Sequence, residues 1–272
     1  MGLAPKRGES QPPRKTIVST SLTFEYPLNE RVRTFLRLEY LFEKVAHFLP
    51  QEDHWISRVA VEGILDILTI TTRGDIKTEL LKELERNTNT LNRMQHGPSV
   101  DLKTLEKTLD DLRQAISELR KSSGQIGQSL RQDGFLKSIA KRSNIPGGTC
   151  SFDIPQYHYW LRRPLSLRQQ RLNDWMQNLQ PVSSGVALAL SLARTSAEPR
   201  EVTATSGFFQ ETLNIQAPAQ LVRVTLKDSD HLFPEISGHK NRFSIRFMSM
   251  EETGRLTPWK KDTTFTLTCC VF

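Results

Sequence analysis

The chain has 272 residues, 37% of them hydrophobic and 25% charged, with a formal charge of +7 and a pI near 9.4. That length gives a sizeable core in one or two domains, and the balance suits a globular protein. The longest candidate apolar run, Val186 to Ala193, falls far short of the ~20 residues that a membrane helix needs. The excess of positive charge asks for an anionic partner, whether nucleic acid, a membrane surface or an acidic protein.

The chain opens with MGLAPKRGESQPPRK, which is basic and proline-rich but lacks the apolar centre of a secretory signal. Lys6 stands where a myristoylation motif wants Ser or Thr, so residues 1–18 read as a disordered tail. Thr16 to Tyr26 is rich in β-branched and aromatic residues and reads as a strand ending at Pro27. Asn29 then stands as the N-cap of a helix from Glu30 to Leu49, with Val32, Phe35, Leu41, Phe42 and Val45 at helical spacing and Pro50 as its stop. Arg31, Arg33 and Arg37 decorate its first turns, where positive charge opposes the helix dipole by roughly a few tenths of a kcal/mol each. That cost points to a role for them beyond the helix.

A second helix is predicted from Asp53 to Ile70, and a third follows Asp75 with Leu80, Leu84, Leu91 and Met94 on one side. His96-Gly97-Pro98 breaks it. After Asp101, the residues Leu102, Leu105, Leu109, Leu112, Ile116 and Leu119 form a coiled-coil seam, either an antiparallel hairpin within the chain or a contact between two copies. Two short helices are predicted at Ile126 to Arg131 and Phe135 to Arg142. Residues 145–155 read as a turn followed by a short strand, and Pro155 opens a helix to Leu161. Leu167 to Leu179 and Val182 to Thr195 read as two helices separated by Pro181. Beyond Pro199 the texture changes to β-formers, at Arg200 to Leu213, Leu221 to Lys227, Asn241 to Ser249 and Thr263 to Val271.

The expected fold class is therefore α+β: an all-helical domain plus an antiparallel β-sheet or sandwich domain, joined by the N-terminal strand. The helical domain is assigned to residues 28–196, and the β domain to 19–27 with 145–155 and 197–272.

Ile236 to Met250, ISGHKNRFSIRFMSM, holds four basic side chains and no acidic one. Alternation puts Phe243, Ile245 and Phe247 on one face and Arg242, Ser244 and Arg246 on the other, the two arginines about 13 Å apart at ~3.3 Å per residue. Ser237-Gly238 reads as the turn that delivers His239 and Lys240. Arginine forks suit a carboxylate or phosphate, whereas the alternative is an ordinary solvated strand face.

Signatures of catalysis and of metal or nucleotide binding fail. Neither GxGxxG nor GxxxxGK[ST], GxSxG or HExxH occurs, and the three cysteines, Cys150, Cys269 and Cys270, form no CxxC pair. No cofactor, no metal and no enzymatic activity are expected, and a reducing cytoplasm suits such cysteine usage. His158, among aromatics, reads either as a packed core residue or as a ligand contact.

The segments FEYPLNERVRTFLRLEYLF, RGDIKTELLKELER, IPGGTCSFDIPQYHYWL and FPEISGHKNRFSIRFM, with the ending TLTCCVF, closely resemble the ZapD family of bacterial Z-ring-associated division proteins. The resemblance covers nearly everything from about Phe24 onward. It implies a cytoplasmic homodimer at the midcell division septum that binds the carboxyl-terminal peptide of FtsZ, the tubulin-like division GTPase, and cross-links and bundles its filaments. Neither nucleic acid nor membrane insertion belongs to that picture. The candidate peptide contacts are the basic positions within the matching motifs: Arg33 and Arg37 on the first helix, Arg73, His158, and Lys240, Arg242 and Arg246. Arg33 and Arg37 stand one helical turn apart and can face one partner. The expectation is that helix and strand charges converge on one pocket near the dimer interface. Against it stand intramolecular pairing, for instance with Glu39 or Glu79, and the alternative function of a basic nucleic-acid-binding protein.

Overall fold

Asn29 starts the first helix: its side chain accepts a hydrogen bond from the Val32 N–H at 2.9 Å, satisfying one of the amides that a helix start leaves without a partner. In the computed structural model, residues 21–72, 74–94, 101–122, 124–214, 216–227, 231–239 and 241–271 are described. Among them the helices are α1 (Glu30–Phe48), α2 (His54–Thr72), α3 (Ile76–Met94), α4 (Leu102–Lys121), α5 (Gln128–Gln132), α6 (Gly134–Ser143), α7 (Pro155–Leu161) and α8 (Leu165–Arg194). Asp75, Asp101 and Asp133 cap α3, α4 and α6 by accepting from Thr78, Lys103 and Phe135 amides. The tail assigned to residues 1–18 lies outside the described residues, as does the His96-Gly97-Pro98 break.

The α4 seam is spent inside the chain. Leu105, Leu109, Leu112 and Leu119 are buried, Ala115 takes the place expected of Ile116, and Leu102 at the helix start is 59% exposed. Arg120 reaches Glu85 at 2.7 Å, and Lys77 donates to the Ser122 carbonyl, so the end of α4 lies beside the start of α3 and the two run antiparallel.

Pro181 does not divide α8, which continues through it as one helix. Leu172, Trp175 and Leu179 before the proline and Val182, Val186 and Leu190 after it form a single buried stripe in the helical core. Burying such side chains stabilises by roughly 1.5–3 kcal/mol each, which outweighs the ~3 kcal/mol cost of one interior proline.

The strands are β1 (Leu22–Pro27), β2 (Arg200–Ala204), β3 (Phe208–Thr212), β4 (Leu221–Leu226), β5 (Leu232–His239), β6 (Arg242–Met250), β7 (Leu256–Pro258) and β8 (Thr263–Cys270). They form two antiparallel sheets, ordered β1-β4-β8-β2 and β3-β6-β5, with β7 on β6. The fold is thus α+β, as the sequence predicts. Two expectations are corrected. Residues 145–153 join neither sheet: Gly148 donates to the Ile145 carbonyl and Cys150 to that of Gly147, so successive turns consume the amides that a strand would use. Ser237 and Gly238 lie within β5, not in a turn. A Cβ on Gly238 would stand 2.7 Å from that of Phe243 on the neighbouring strand, so this glycine marks a close approach.

Period-two alternation sorts the layers. Val222, Val224 and Leu226 of β4 and Phe265 and Leu267 of β8 pack against Phe243, Ile245 and Phe247 of β6 in the sandwich core. Leu221 and Cys270 turn to the other face and join the helical core. On that same side Arg194, at the end of α8, grips Glu25 of β1 at 2.8 Å and Glu39 of α1 at 2.6 Å, and Arg223 of β4 donates to Glu25 at 2.9 Å. Four side chains from two strands and two helices thereby clamp bundle to sheet. Burial raises the Glu25 carboxyl, but hydrogen bonds and charge from Arg194 and then Arg223 overcome it and hold the pKa below its ordinary value. Glu39 and then Glu25 raise the Arg194 guanidinium above its own.

Candidate functional site

The first turns of α1 hold three arginines with three different fates. Arg31 is spent inside the molecule, on Glu83 at 3.0 Å and the Gln220 side chain at 3.4 Å. Arg33 leans back over the Tyr26 ring, 5.6 Å from its centroid, and holds Glu30 at 3.1 Å. Bonding to Tyr26 keeps its guanidinium above the ordinary pKa despite a cost of burial, and Glu30 adds to that, so Arg33 is a fixed cation. Arg37, one turn on, is exposed and makes no ion pair among the described residues.

Arg33 and Arg37 line one side of a depression of about 500 Å³ between α1 and α2. Leu36, Leu41 and Ile70 give it an apolar floor, Tyr40 stands 65% exposed at its edge, and Asp66 is its one acidic lining residue. Glu39 and Glu79, the expected intramolecular partners, answer Arg194 and Lys82 instead. Sequence reasoning missed Tyr40 and Tyr26. For Tyr40 the signal was available: positions 33, 37 and 40 share one face of a helix.

The end of the β5–β6 pair meets this region. The Tyr26 hydroxyl lies 3.5 Å from the Gly238 carbonyl, and Leu28 would be 3.1 Å from a Cβ on Gly238. The next residue, His239, pairs in register with Arg242. Tyr26 is thus shared: Arg33 stacks on its ring, and its hydroxyl touches the end of β5, which pairs with the start of β6. Phe243 and Phe247 are fully buried while Arg242 and Arg246 are exposed and without ion pairs among the described residues. Arg246 lies four residues further along β6, opposite Glu235 and Phe208.

Two predicted contacts, Arg73 and Lys240, lie outside the described residues. His158 is described but is not brought to the depression. It sits half-buried on α7, next to Tyr157, on whose ring Arg58 of α2 stacks at 4.9 Å. Arg58 and Thr69, which lines the depression, are separated by roughly 16 Å along α2 at ~1.5 Å per residue. Tyr157 itself is buried in an aromatic cluster with Phe135 and Trp160, and burial lifts its hydroxyl above the ordinary pKa. Among the described residues no group of three or more His, Cys, Asp or Glu converges as metal ligands would. No described helix is long and apolar enough to cross a membrane.

A family model described as ZapD, cell division protein, matches residues 36–246. The chain belongs to the ZapD family. Proteins named cell division protein ZapD from Methylococcus capsulatus and Aromatoleum aromaticum are each 39% identical to it, over 254 and 253 residues. These alignments cover 93% and 92% of this chain and 100% and 97% of the relatives. A ZapD of Azoarcus sp. is 39% identical over 249 residues, 92% of this chain and 99% of its own length. The matched region holds Arg37, His158, Arg242 and Arg246, with Arg33 just before its start. A role in cell division follows from membership.

Proposed function

We propose that this ZapD chain binds the carboxyl-terminal peptide of FtsZ through the α1–α2 depression and the adjoining end of β6, and that a homodimer cross-links and bundles FtsZ filaments at the cytoplasmic division site. The observation that carries the reading is the pairing of an apolar floor with an exposed Arg37 that has no ion pair among the described residues. Such a peptide mixes acidic and apolar residues. Guanidinium forks donate to its carboxylates, and Leu36, Leu41 and Ile70 pack against its apolar side chains. A two-fold dimer presents two equivalent sites, so one dimer holds two tails and avidity turns weak capture into bundling.

The competing nucleic-acid reading loses its platform at β6, because the rings interleaved with its arginines point into the core and offer no face for a base. The test is a titration of labelled FtsZ tail peptide. Arg37→Glu and Arg242→Glu each weaken binding about tenfold, near 1.4 kcal/mol, and flatten its salt dependence. Unchanged affinity and salt slope in both variants would remove the site. Loss of binding only on competition with duplex or single-stranded nucleic acid would favour the second reading.

A further inference from the structure

Between α6 and α7, residues 145–154 fold into successive turns that raise an apolar edge from the helical bundle. Gly148 donates to the Ile145 carbonyl at 2.8 Å, Cys150 to Gly147 at 3.1 Å, and Ile154 to Cys150 at 3.1 Å, so the loop is tied to itself as a wedge. Its edge carries Phe152, 83% exposed, and Ile145, 46% exposed. A phenyl ring held so far into water costs hydrophobic free energy that no contact among the described residues returns. Two more aromatics stand nearby. Trp55, at the start of α2, is 63% exposed beneath the Arg58 guanidinium, and Arg58 donates to the Thr149 carbonyl at 3.1 Å, which joins this tryptophan to the wedge. Tyr159 on α7 is 64% exposed and takes a hydrogen bond from Arg163 at 2.8 Å.

On the α6–α7 side the charge is mostly positive, while Trp55 has the exposed Glu52 and Asp53 beside it. Between Lys137 and Arg163 the basic residues are Lys137, Lys141, Arg142, Arg162 and Arg163, and the sole acid, Asp153, has Arg142 at 3.5 Å. Lys137, Lys141 and Arg142 are exposed on α6 and share a shallow depression with Asp153 and Pro155, so these cations flank the base of the wedge. A groove would suit an acidic peptide, as between α1 and α2. At the wedge the apolar groups protrude, aromatic at the tip with lysine and arginine behind. That arrangement matches a lipid interface, where rings enter the headgroup boundary and cations meet anionic phosphates.

We propose that the 145–154 wedge, with Trp55 and Tyr159, docks on the surface of an anionic bilayer, the helical bundle lying on the membrane without spanning it. Trp55 lies at the opposite end of α2 from the depression, whereas Lys137 of α6 approaches Asp66 and Thr69 on the far side of α2 from it, so the test is run without FtsZ to separate the surface from peptide capture.

The test is flotation of the full chain, without FtsZ, on vesicles of phosphatidylglycerol with phosphatidylcholine and on phosphatidylcholine alone. The chain floats with the anionic vesicles and is released by salt. Lys137→Gln and Lys141→Gln each weaken the partition about fivefold. Phe152→Asp, at a side chain that packs on little, abolishes it with an unchanged melting temperature. Absence of flotation with both vesicle types overturns the proposal, as does equal flotation of wild type and variants. It is also overturned if the chain ignores vesicles yet binds polyglutamate in a manner sensitive to Phe152→Asp, which assigns the wedge to acidic protein segments instead.

Discussion

Arg194 shows how much one side chain can organise here. It donates to two carboxylates at once, from β1 and α1, and removing it leaves Glu25 and Glu39 facing each other across the junction. Arg194→Met is expected to cost about 2–3 kcal/mol, below the ~3–5 of a fully buried pair because part of the side chain reaches solvent. The sign of the pH effect follows from Glu25, whose folded pKa lies below the ordinary 4.5. Its contribution is present above that value and fades as pH falls through the folded pKa, so Glu25→Gln flattens the loss of stability below about pH 4.5 in acid denaturation. Gly238→Ala is expected to lose about 1–3 kcal/mol, because the added Cβ would press on that of Phe243. Little of this was legible in the sequence. An ion cluster joining positions 25, 39, 194 and 223 has no local spacing that announces it, and a glycine required by the neighbouring strand looks, in one dimension, like a glycine in a turn.

At the scale of elements, legibility followed the strength of the local signal. The Asn29 cap, the period of α1, the antiparallel hairpin of α3 and α4 and the alternation of β6 all follow from patterns that burial then satisfies. The failures have different causes: local turns consume the amides of the strand expected at 145–153, and tertiary packing overrides the breaker in α8. Pro181 lies within α8 because an apolar stripe on both sides of it faces one core. Pro181→Ala restores a backbone donor in a helix already held in place, and is expected to raise stability by about 1–3 kcal/mol, read as a melting temperature several degrees higher. No rise would mean that the helix gains more from the proline's geometry than from the hydrogen bond. The candidate site was legible as a set of basic residues and not as a place. Arg33 and Arg37 line one depression and Arg33 stacks on Tyr26, whereas Arg242 lies on the outward face of β6 beyond the Gly238 that Tyr26 reaches. His158 stands elsewhere, and only the fold supplies the apolar floor between α1 and α2. Coupling in double-mutant cycles should follow that division: Arg37 and Arg242 substitutions combine non-additively on peptide binding, and His158→Ala adds independently to either.

For the whole molecule, the helical bundle, the β1-β4-β8-β2 sheet and the β3-β6-β5 sheet form three successive layers, with one ionic clamp between the first and second. The proposed peptide site lies where the first helix, the first strand and the β5–β6 pair meet, so its geometry depends on the layers staying in register. Cross-linking further requires two such sites held apart by a dimer. The most direct measurement is co-sedimentation of the chain with polymerised FtsZ, run beside FtsZ that lacks its carboxyl-terminal peptide. The account predicts pelleting and bundling with the intact polymer and neither with the truncated one. Equal pelleting with both would place the contact on the filament body and contradict it.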